Sequence, residues 1–535
     1  KTINVALHPS SEAVDQVAIT GKKIEEVVKE ARNLNNHAVM ADLECASYHP
    51  QAKVLYRLPH APASTEEYNT VVENRFKRAD DDPLSTFSID VDVASYSNMR
   101  RYINQGELPP ADAIRTEELV NYFSYDYAKP TGSDPVKITA ETGACPWNTD
   151  HRLVKVGIKA KELTNKSMPA SNLVFLVDVS GSMYGPTRLD LVKSSLKLLV
   201  NNLREEDRVA IVVYSGSAGL ALPSTSGSDK QKIREALDEL TAGGSTAGGE
   251  GIKLAYKTAK EHFIKGGNNR VILCTDGDFN VGVSSKEGLE SLIEKERKSG
   301  VFLTVLGYGM GNYKDNRMQT LAEKGNGNHA YIDNLQEANK VLVHEFGGTM
   351  YAVAKDVKLQ IEFNPEHVQA YRLIGYESRM LNHEDFNDDT KDAGEMGAGH
   401  AVTAFYEIIP VGVNANYGGK VDEYKYQKTQ EKKVKPVYTG SRELMNIKLR
   451  YKQPDGDVSK KIELAVIDNK QNNPGNDFRF AAAVAMFGQL LRDSDYKGDA
   501  TYDMVIALAK SALDNDEQGY RREFVRLVQA AKGLE

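Results

Sequence analysis

The sequence predicts an α/β protein in which a mainly parallel sheet, covered by helices on both faces, is inserted into an antiparallel β-domain. Over residues 171–350, short apolar strands alternate with amphipathic helices, which is typical of a parallel sheet with helical crossovers. Residues 135–162 and 356–468 instead alternate apolar and polar side chains, as half-exposed antiparallel strands do. Helices are expected near both ends of the chain.

The 535 residues exceed what one hydrophobic core normally supports, so several domains are expected. Changes in the residue pattern divide the chain into five regions. These are an N-terminal strand and linker remnant at 1–65, helices followed by strands at 66–165, the parallel α/β domain at 171–350, a β-rich region at 356–470, and a helical segment at 476–535.

The predicted elements follow one another at short intervals. In the central domain the strands are LVFLVDVS, RVAIVVYSG, RVILCTDG, VFLTVLGYG and HAYIDN, and helices are expected at 188–203, 229–240, 248–264, 286–299, 316–324 and 335–350. The flanking strands are VKITAETG and LVKVGIKAKEL before this domain, and VKLQIEF, VQAYRLIGYES, VTAFYEIIPVG, LMNIKLRYKQP and KKIELAVID after it. We expect both sets in one β-domain, because the ends of an inserted domain lie close together.

Composition excludes several classes of function. The net charge is −8 and no Lys/Arg block occurs, so nucleic-acid binding is not expected. No apolar stretch approaches the ~18 residues of a membrane span. The three cysteines are far apart and form no C-x-x-C pair, which argues against a disulfide framework or a zinc site. The sequence does not indicate the oligomeric state.

Three loops carry oxygen-bearing side chains. The first strand of the central domain runs into Asp178, Ser180 and Ser182, and a later strand runs into Asp276. Both loops follow strands, so they lie at the carboxyl edge of the predicted sheet, where α/β folds bind ligands. A Gly-rich loop between two predicted helices adds Thr246. Oxygen donors of this kind suit Mg²⁺, Ca²⁺ or Mn²⁺ and disfavour zinc.

This order, D-x-S-x-S, then Thr, then Asp, resembles the metal-ion-dependent adhesion site (MIDAS) of von Willebrand factor type A (VWA) domains. The resemblance implies that Ser180, Ser182 and Thr246 contact the metal directly, while Asp178 and Asp276 hold its water ligands. It also implies a function in binding: a protein partner completes the coordination with an Asp or Glu carboxylate. Ser245 precedes Thr246, and the family pattern favours the threonine.

The flanks carry a second resemblance. PLSTFSIDVDVASYSNMRRYINQGELPP and YRLIGYESRMLNHEDFNDDTKDAGEMGAGHAVTAFYEIIP resemble the regions on either side of the VWA domain in a family of bacterial envelope proteins, often lipoproteins. The match spans about residues 66–530. It implies a location in the cell envelope, either periplasmic or anchored to the outer membrane. It also implies an adhesion or receptor-like module; an assembly factor working beside a separate ATPase is the alternative.

The sequence gives little support for an enzymatic function. No P-loop occurs, and His344-Glu345 fails as a zinc motif because Gly348 stands where the second histidine is required. The near-match to a nucleophile elbow at 243–247 ends in alanine. The acidic stretch 384–395 departs from the EF-hand pattern, so we expect a hydrogen-bonded or solvated loop there. We therefore predict a binding protein rather than an enzyme.

Overall fold

The computed structural model describes most of the chain beyond residue 65. The described ranges are 66–163, 168–244, 248–277, 286–345, 351–391, 393–414, 440–454, 456–468, 474–514 and 516–535. The predicted strand and linker at 1–65 lie outside these ranges, as does Thr246. Within the described ranges, no helix is both long and apolar enough to cross a membrane.

Sixteen strands lie in the described residues. They are β1 (Lys77–Arg78), β2 (Leu84–Ser88), β3 (Val136–Ala144), β4 (Arg152–Ala160), β5 (Ser171–Asp178), β6 (Arg208–Tyr214), β7 (Ala218–Ser226), β8 (Asn268–Thr275), β9 (Phe302–Gly307), β10 (His329–Tyr331), β11 (Ala352–Phe363), β12 (Val368–Ile374), β13 (Gly394–Gly397), β14 (Ala401–Pro410), β15 (Glu443–Lys452) and β16 (Ser459–Ile467).

The α-helices of the described residues occur in three groups along the chain. They are α1 (Ala94–Asn104), α2 (Thr116–Asn121), α3 (Leu189–Asn201), α4 (Lys230–Asp238), α5 (Gly248–Glu261), α6 (Lys286–Arg297), α7 (Asp315–Lys324), α8 (Leu335–Asn339), α9 (Asn476–Leu491), α10 (Tyr502–Lys510) and α11 (Tyr520–Lys532). Short 3₁₀ turns connect several elements, including Gly181–Met183 directly after β5.

The central domain has the predicted parallel sheet, with strand order β10-β9-β8-β5-β6-β7. Strands β5, β6, β8, β9 and β10 are parallel, whereas β7 is antiparallel to β6. The sequence pattern did not predict β7. Only Leu222 and Thr225 of its nine residues are buried, so this edge strand lacks the apolar alternation that identifies a strand.

The flanking strands form two facing antiparallel sheets. One has the order β1-β12-β14-β4-β3, and the other has the order β13-β11-β15-β16, with β2 also paired to β11. Strand β4 precedes the central domain and pairs with β14, which follows it, over residues such as Val156 opposite Ala404. The predicted insertion is therefore confirmed. The two sheets share one core, in which Ile158 and Leu359 are fully buried.

The ends of the inserted domain lie side by side. Ser171 begins β5 and Tyr351 stands directly before β11, and their side-chain oxygens are 2.8 Å apart in a hydrogen bond. Both residues are buried. A domain whose two ends meet in this way can be inserted without separating the strands of its host, since the chain returns to the point where it left.

The last helix of the central domain is shorter than the predicted 335–350. The α-helix ends at Asn339 and continues as a π-helical turn over Lys340–His344. The wider turn places buried Lys340 next to Glu345 and 4.3 Å from the ring centre of Tyr122, so that its ammonium has two partners. Residues 346–350 lie outside the described ranges.

A buried ionic cluster joins three regions of the chain. Arg100 of α1 is 1% exposed and contacts Asp333, Glu337 at 2.7 Å and Glu523 at 3.2 Å. Asp333 and Glu337 belong to the end of the central domain, and Glu523 belongs to α11. A single guanidinium, whose fixed fork of donors serves several carboxylates, therefore contacts the central domain and the C-terminal helices from the N-terminal flank.

Candidate metal centre

Two predicted site carboxylates lie at the same edge of the central sheet. Strands β5 and β8 are parallel neighbours, with Val177 opposite Cys274. Asp178 ends the first strand, and Asp276 follows the end of the second. Both aspartates are fully buried. Both aspartates therefore stand at the predicted edge of the sheet, and their role at a metal site stays a prediction.

The carboxylate of Asp178 is held by three donors. Its Oδ1 accepts a hydrogen bond from the Ser180 amide at 2.9 Å. Its Oδ2 accepts from the hydroxyls of Tyr214 at 3.0 Å and Thr275 at 3.2 Å. Burial raises the pKa of Asp178 and the nearby charge of Asp276 adds to this rise, while the hydrogen bonds from Ser180 and Tyr214 oppose it. The carboxylate is therefore fixed in orientation, in a place where a cation would stabilise its charge.

The two serines of the first loop lie together. Their hydroxyl oxygens are 3.1 Å apart, with Ser180 buried and Ser182 half-buried. Ser180 has extended backbone and stands directly before the 3₁₀ turn Gly181–Met183, which contains Ser182. Ser180 and Ser182 thus present two oxygens that could contact one ion.

The beginning of the Gly-rich loop docks on the serine loop. The Gly244 carbonyl accepts from the Gly181 amide at 3.0 Å, and the Gly243 amide donates to the Val179 carbonyl at 2.8 Å. Gly244 has φ +83°, and a Cβ there would lie 2.5 Å from the Ser215 hydroxyl, so only glycine fits. Thr246 stands two residues further on, outside the described residues, and its role stays a prediction.

Sequence reasoning missed two residues that tie the loops together. The Asn312 side chain donates to Asp276 Oδ2 at 3.2 Å, and its own oxygen accepts from Arg188 at 3.2 Å. Arg188 also donates to the Ser182 carbonyl. Asn312 follows β9, so its position beyond another parallel strand of the same sheet was the one available signal.

The donor set fits a hard divalent cation. Ser180 and Ser182 offer neutral hydroxyl oxygens, and Asp178 and Asp276 offer buried carboxylates beside them. Oxygen donors of this kind suit Mg²⁺, Ca²⁺ or Mn²⁺. Over the described part of the chain, no group of three or more His, Cys, Asp or Glu side chains could hold a metal.

The acidic stretch 384–395 is a hydrogen-bonded loop where it is described. Asp385 forms a capping box with Asn382, and Asp389 contacts Arg450 at 3.1 Å. The ammonium of Lys358 donates to two of the backbone carbonyls, those of Asp385 and Asp388. These carboxylates serve local structure, as the sequence predicts.

The fold and its loops define a VWA-domain protein, and comparisons with known families agree. The family described as von Willebrand factor type A domain matches residues 172–344, and one described as von Willebrand factor matches residues 62–155. The family described as the C-terminal part of the uncharacterized protein YfbK matches residues 348–534. YfbK of Escherichia coli K12 is 46% identical over 484 residues, which are 89% of this chain and 82% of that protein. The chain belongs to the YfbK family of VWA-domain proteins.

Other similar proteins cover less of the chain or are more distant. The uncharacterized protein sll0103 of Synechocystis is 29% identical over 194 residues, which are 36% of this chain and 44% of that protein. Among solved structures, a von Willebrand factor type A protein from Catenulispora acidiphila is 14% identical and has a TM-score of 0.37, covering 85% of this chain and 91% of that one.

Proposed function

We propose that this protein binds a divalent cation, Mg²⁺ or else Ca²⁺ or Mn²⁺, and captures a partner protein through an Asp or Glu carboxylate. VWA domains are generally interaction modules without enzymatic activity, which supports a binding function for a chain that contains one. The observation that carries the proposal is the pair of serine hydroxyls, 3.1 Å apart, beside two buried carboxylates.

The roles of the residues follow from their chemistry. Ser180 and Ser182 would contact the ion, with Thr246 as the third hydroxyl ligand. Asp178 and Asp276 would accept hydrogen bonds from its water ligands, held in place by Tyr214 and Asn312. Because hydroxyl ligands are neutral, the bound cation supplies positive charge that a partner carboxylate can neutralise. We place this activity in the bacterial cell envelope; fractionation of cells tests the location.

Metal removal tests the proposal. Titration calorimetry with Mn²⁺ is expected to show one site per chain, and EDTA is expected to release a captured partner. Thr246→Ala should weaken Mn²⁺ binding and lose capture while circular dichroism stays unchanged, because the change removes only one proposed ligand hydroxyl. Ser245→Ala is the matched control and should behave as the wild type.

Two outcomes would overturn this proposal. If the wild-type protein binds no Mn²⁺ at millimolar concentration, the loops do not form a cation site. If capture survives both EDTA and Thr246→Ala, the partner binds elsewhere on the molecule. If Ser245→Ala weakens Mn²⁺ binding more than Thr246→Ala does, the third hydroxyl ligand is Ser245 and not Thr246.

A second prediction concerns the rim of the site. Tyr184 is two residues after Ser182 and its side chain is 83% exposed; Met310, on the loop joined to the serine loop by Arg188, is 38% exposed. Exposed aromatic residues contribute strongly to protein interfaces. Tyr184→Ala is expected to weaken partner capture about tenfold, with Mn²⁺ affinity unchanged.

The control for the rim is Val458→Ala, which removes a side chain 80% exposed in the turn before β16. Partner affinity, measured by biolayer interferometry at saturating Mg²⁺, should not change in this variant. If Tyr184→Ala and the wild type have equal affinity for the partner, the rim is not part of the interface. The partner would then contact the protein through the metal and not through the rim.

A further inference from the structure

A short loop between β9 and α7, residues 308–313, connects the metal centre to the rest of the molecule. On the side of the metal centre, the Asn312 side chain donates to Asp276 Oδ2 at 3.2 Å. Arg188 donates to the Met310 carbonyl at 2.9 Å and also to the Ser182 carbonyl. The loop therefore contacts the aspartate half of the site directly and the serine half through Arg188. We refer to residues 308–313 as the bracket loop.

The bracket loop is packed closely against Arg188. Gly309 has φ +75°, and a Cβ at this position would lie 2.6 Å from the Arg188 Nε. The buried hydroxyl of Tyr331 donates to the Gly309 carbonyl. Because these contacts leave no free space at Gly309, a shift of the loop backbone must move Arg188 or Asn312 as well.

The opposite side of the bracket loop is held by Glu66, from the N-terminal flank. Glu66 Oε1 accepts a hydrogen bond from the Gly311 amide at 2.8 Å. Its Oε2 accepts from Arg101 at 2.7 Å and from the hydroxyls of Tyr102 at 2.7 Å and Tyr68 at 2.8 Å. The Glu66 side chain is 3% exposed and that of Arg101 is 7% exposed.

We propose that Glu66 is a positioning residue of the metal centre: it fixes the Gly311 amide and so aligns Asn312 with Asp276. The inference rests on the proposed function, since it requires that this centre bind a cation. Gly311 and Asn312 are consecutive, so holding one peptide group constrains the next side chain. The N-terminal flank, outside the VWA domain, is thereby part of the scaffold of the site.

The ion pair with Arg101 stabilises the hydrogen bond between Glu66 and the Gly311 amide. Burial opposes the charge of Glu66, but Arg101 and the Gly311 amide hold the pKa of this carboxyl below its usual value. A buried carboxylate paired with arginine is fixed in orientation by charge-assisted hydrogen bonds. Coupling between two sites is also reciprocal, so metal binding should in turn tighten the attachment of residues 66–68.

The test compares Mn²⁺ affinity in the full chain. A residue in direct contact with a metal ligand typically changes affinity 10–100-fold; Glu66 lies one contact further out, so Glu66→Ala is expected to raise the Kd for Mn²⁺ about three- to tenfold. Glu66→Gln keeps the size and one acceptor oxygen, and its Kd should be intermediate. Glu67→Ala is the matched control: that side chain is 56% exposed and contacts Lys314 at 2.6 Å. Its Kd should equal that of wild type.

Hydrogen exchange of the Gly311 amide gives an independent readout. Exchange should be faster in Glu66→Ala than in wild type, and Mn²⁺ should slow exchange at residues 66–68 only in proteins that bind it. If Glu66→Ala does not fold, Glu66→Gln decides. The inference is overturned if the wild type binds Mn²⁺ and the folded Glu66 variants bind it with the same Kd. It is also overturned if substitutions at Glu66 and Glu67 change the Kd equally. Wild type that binds no Mn²⁺ overturns the proposed function itself.

Discussion

Replacing Asp178 with asparagine is expected to reduce Mn²⁺ affinity by about two orders of magnitude and to lose Mg²⁺-dependent stabilisation. The substitution preserves volume but removes the charge that orients the water ligands of the proposed ion. Both carboxylate oxygens of Asp178 accept hydrogen bonds, one from the Ser180 amide and the other from the hydroxyls of Tyr214 and Thr275. Asparagine replaces one of these acceptor oxygens with an NH₂ donor. At least one buried donor then loses its acceptor, which costs about 1–3 kcal/mol.

Thermal unfolding with and without Mg²⁺ measures this effect. Wild type should unfold at a higher temperature when Mg²⁺ is added, since a ligand that binds only the folded state adds about 2.7 kcal/mol at a hundred times its Kd. Asp178→Asn should show no such shift. The control is Asp190→Asn, which makes the same exchange at an exposed residue in the first turn of α3. Full retention of the shift in Asp178→Asn would remove this carboxylate from the site.

Arg100→Met is expected to reduce the free energy of unfolding by about 3–5 kcal/mol, because it removes one partner of a buried ionic cluster. Three carboxylates would remain, those of Asp333, Glu337 and Glu523, which are between 0% and 12% exposed. Urea denaturation measures the loss. Arg100→Lys should fall between wild type and Arg100→Met, since it keeps the charge but loses the guanidinium fork.

The loss in Arg100→Met should also depend on pH. Burial raises the pKa of Asp333, and the charge of Arg100 opposes that rise. Without Arg100 the folded form binds protons more readily than the unfolded form, so its stability rises as pH falls. The difference from wild type should therefore narrow as the pH falls through the raised pKa that Asp333 has in the folded variant.

Arg526→Met is the control for this cluster. Arg526 contacts the same Glu523, at 3.6 Å, but its side chain is 70% exposed. Exposed ion pairs contribute little, so this variant should differ from wild type by less than about 1 kcal/mol. Similar losses in both variants would mean that charge near α11, rather than the buried cluster, determines stability.

The sequence alone determined the order of most elements, β7 excepted, and the edge of the sheet at which the candidate site lies. Apolar residues recur with one period in helices and another in strands, so a short stretch of sequence is enough to identify β5 and the helix after it. The rule that ligands bind beyond the carboxyl ends of parallel strands then brought Asp178 and Asp276 together. The structure buries both aspartates there and places the hydroxyls of Ser180 and Ser182 3.1 Å apart. The metal-binding roles of these residues and of Thr246 stay predictions.

Only the tertiary structure decided which distant residues hold that site and the domains in place. Arg100 and Glu523 are separated by 423 positions, and Glu66 and Gly311 by 245. The periodicity of the sequence does not reveal such contacts, because the partner of a buried charge can come from any chain segment that packs against it. The same holds for the division of the flanking strands into two sheets, which depends on pairings between strands far apart in the chain, such as that of β4 with β14.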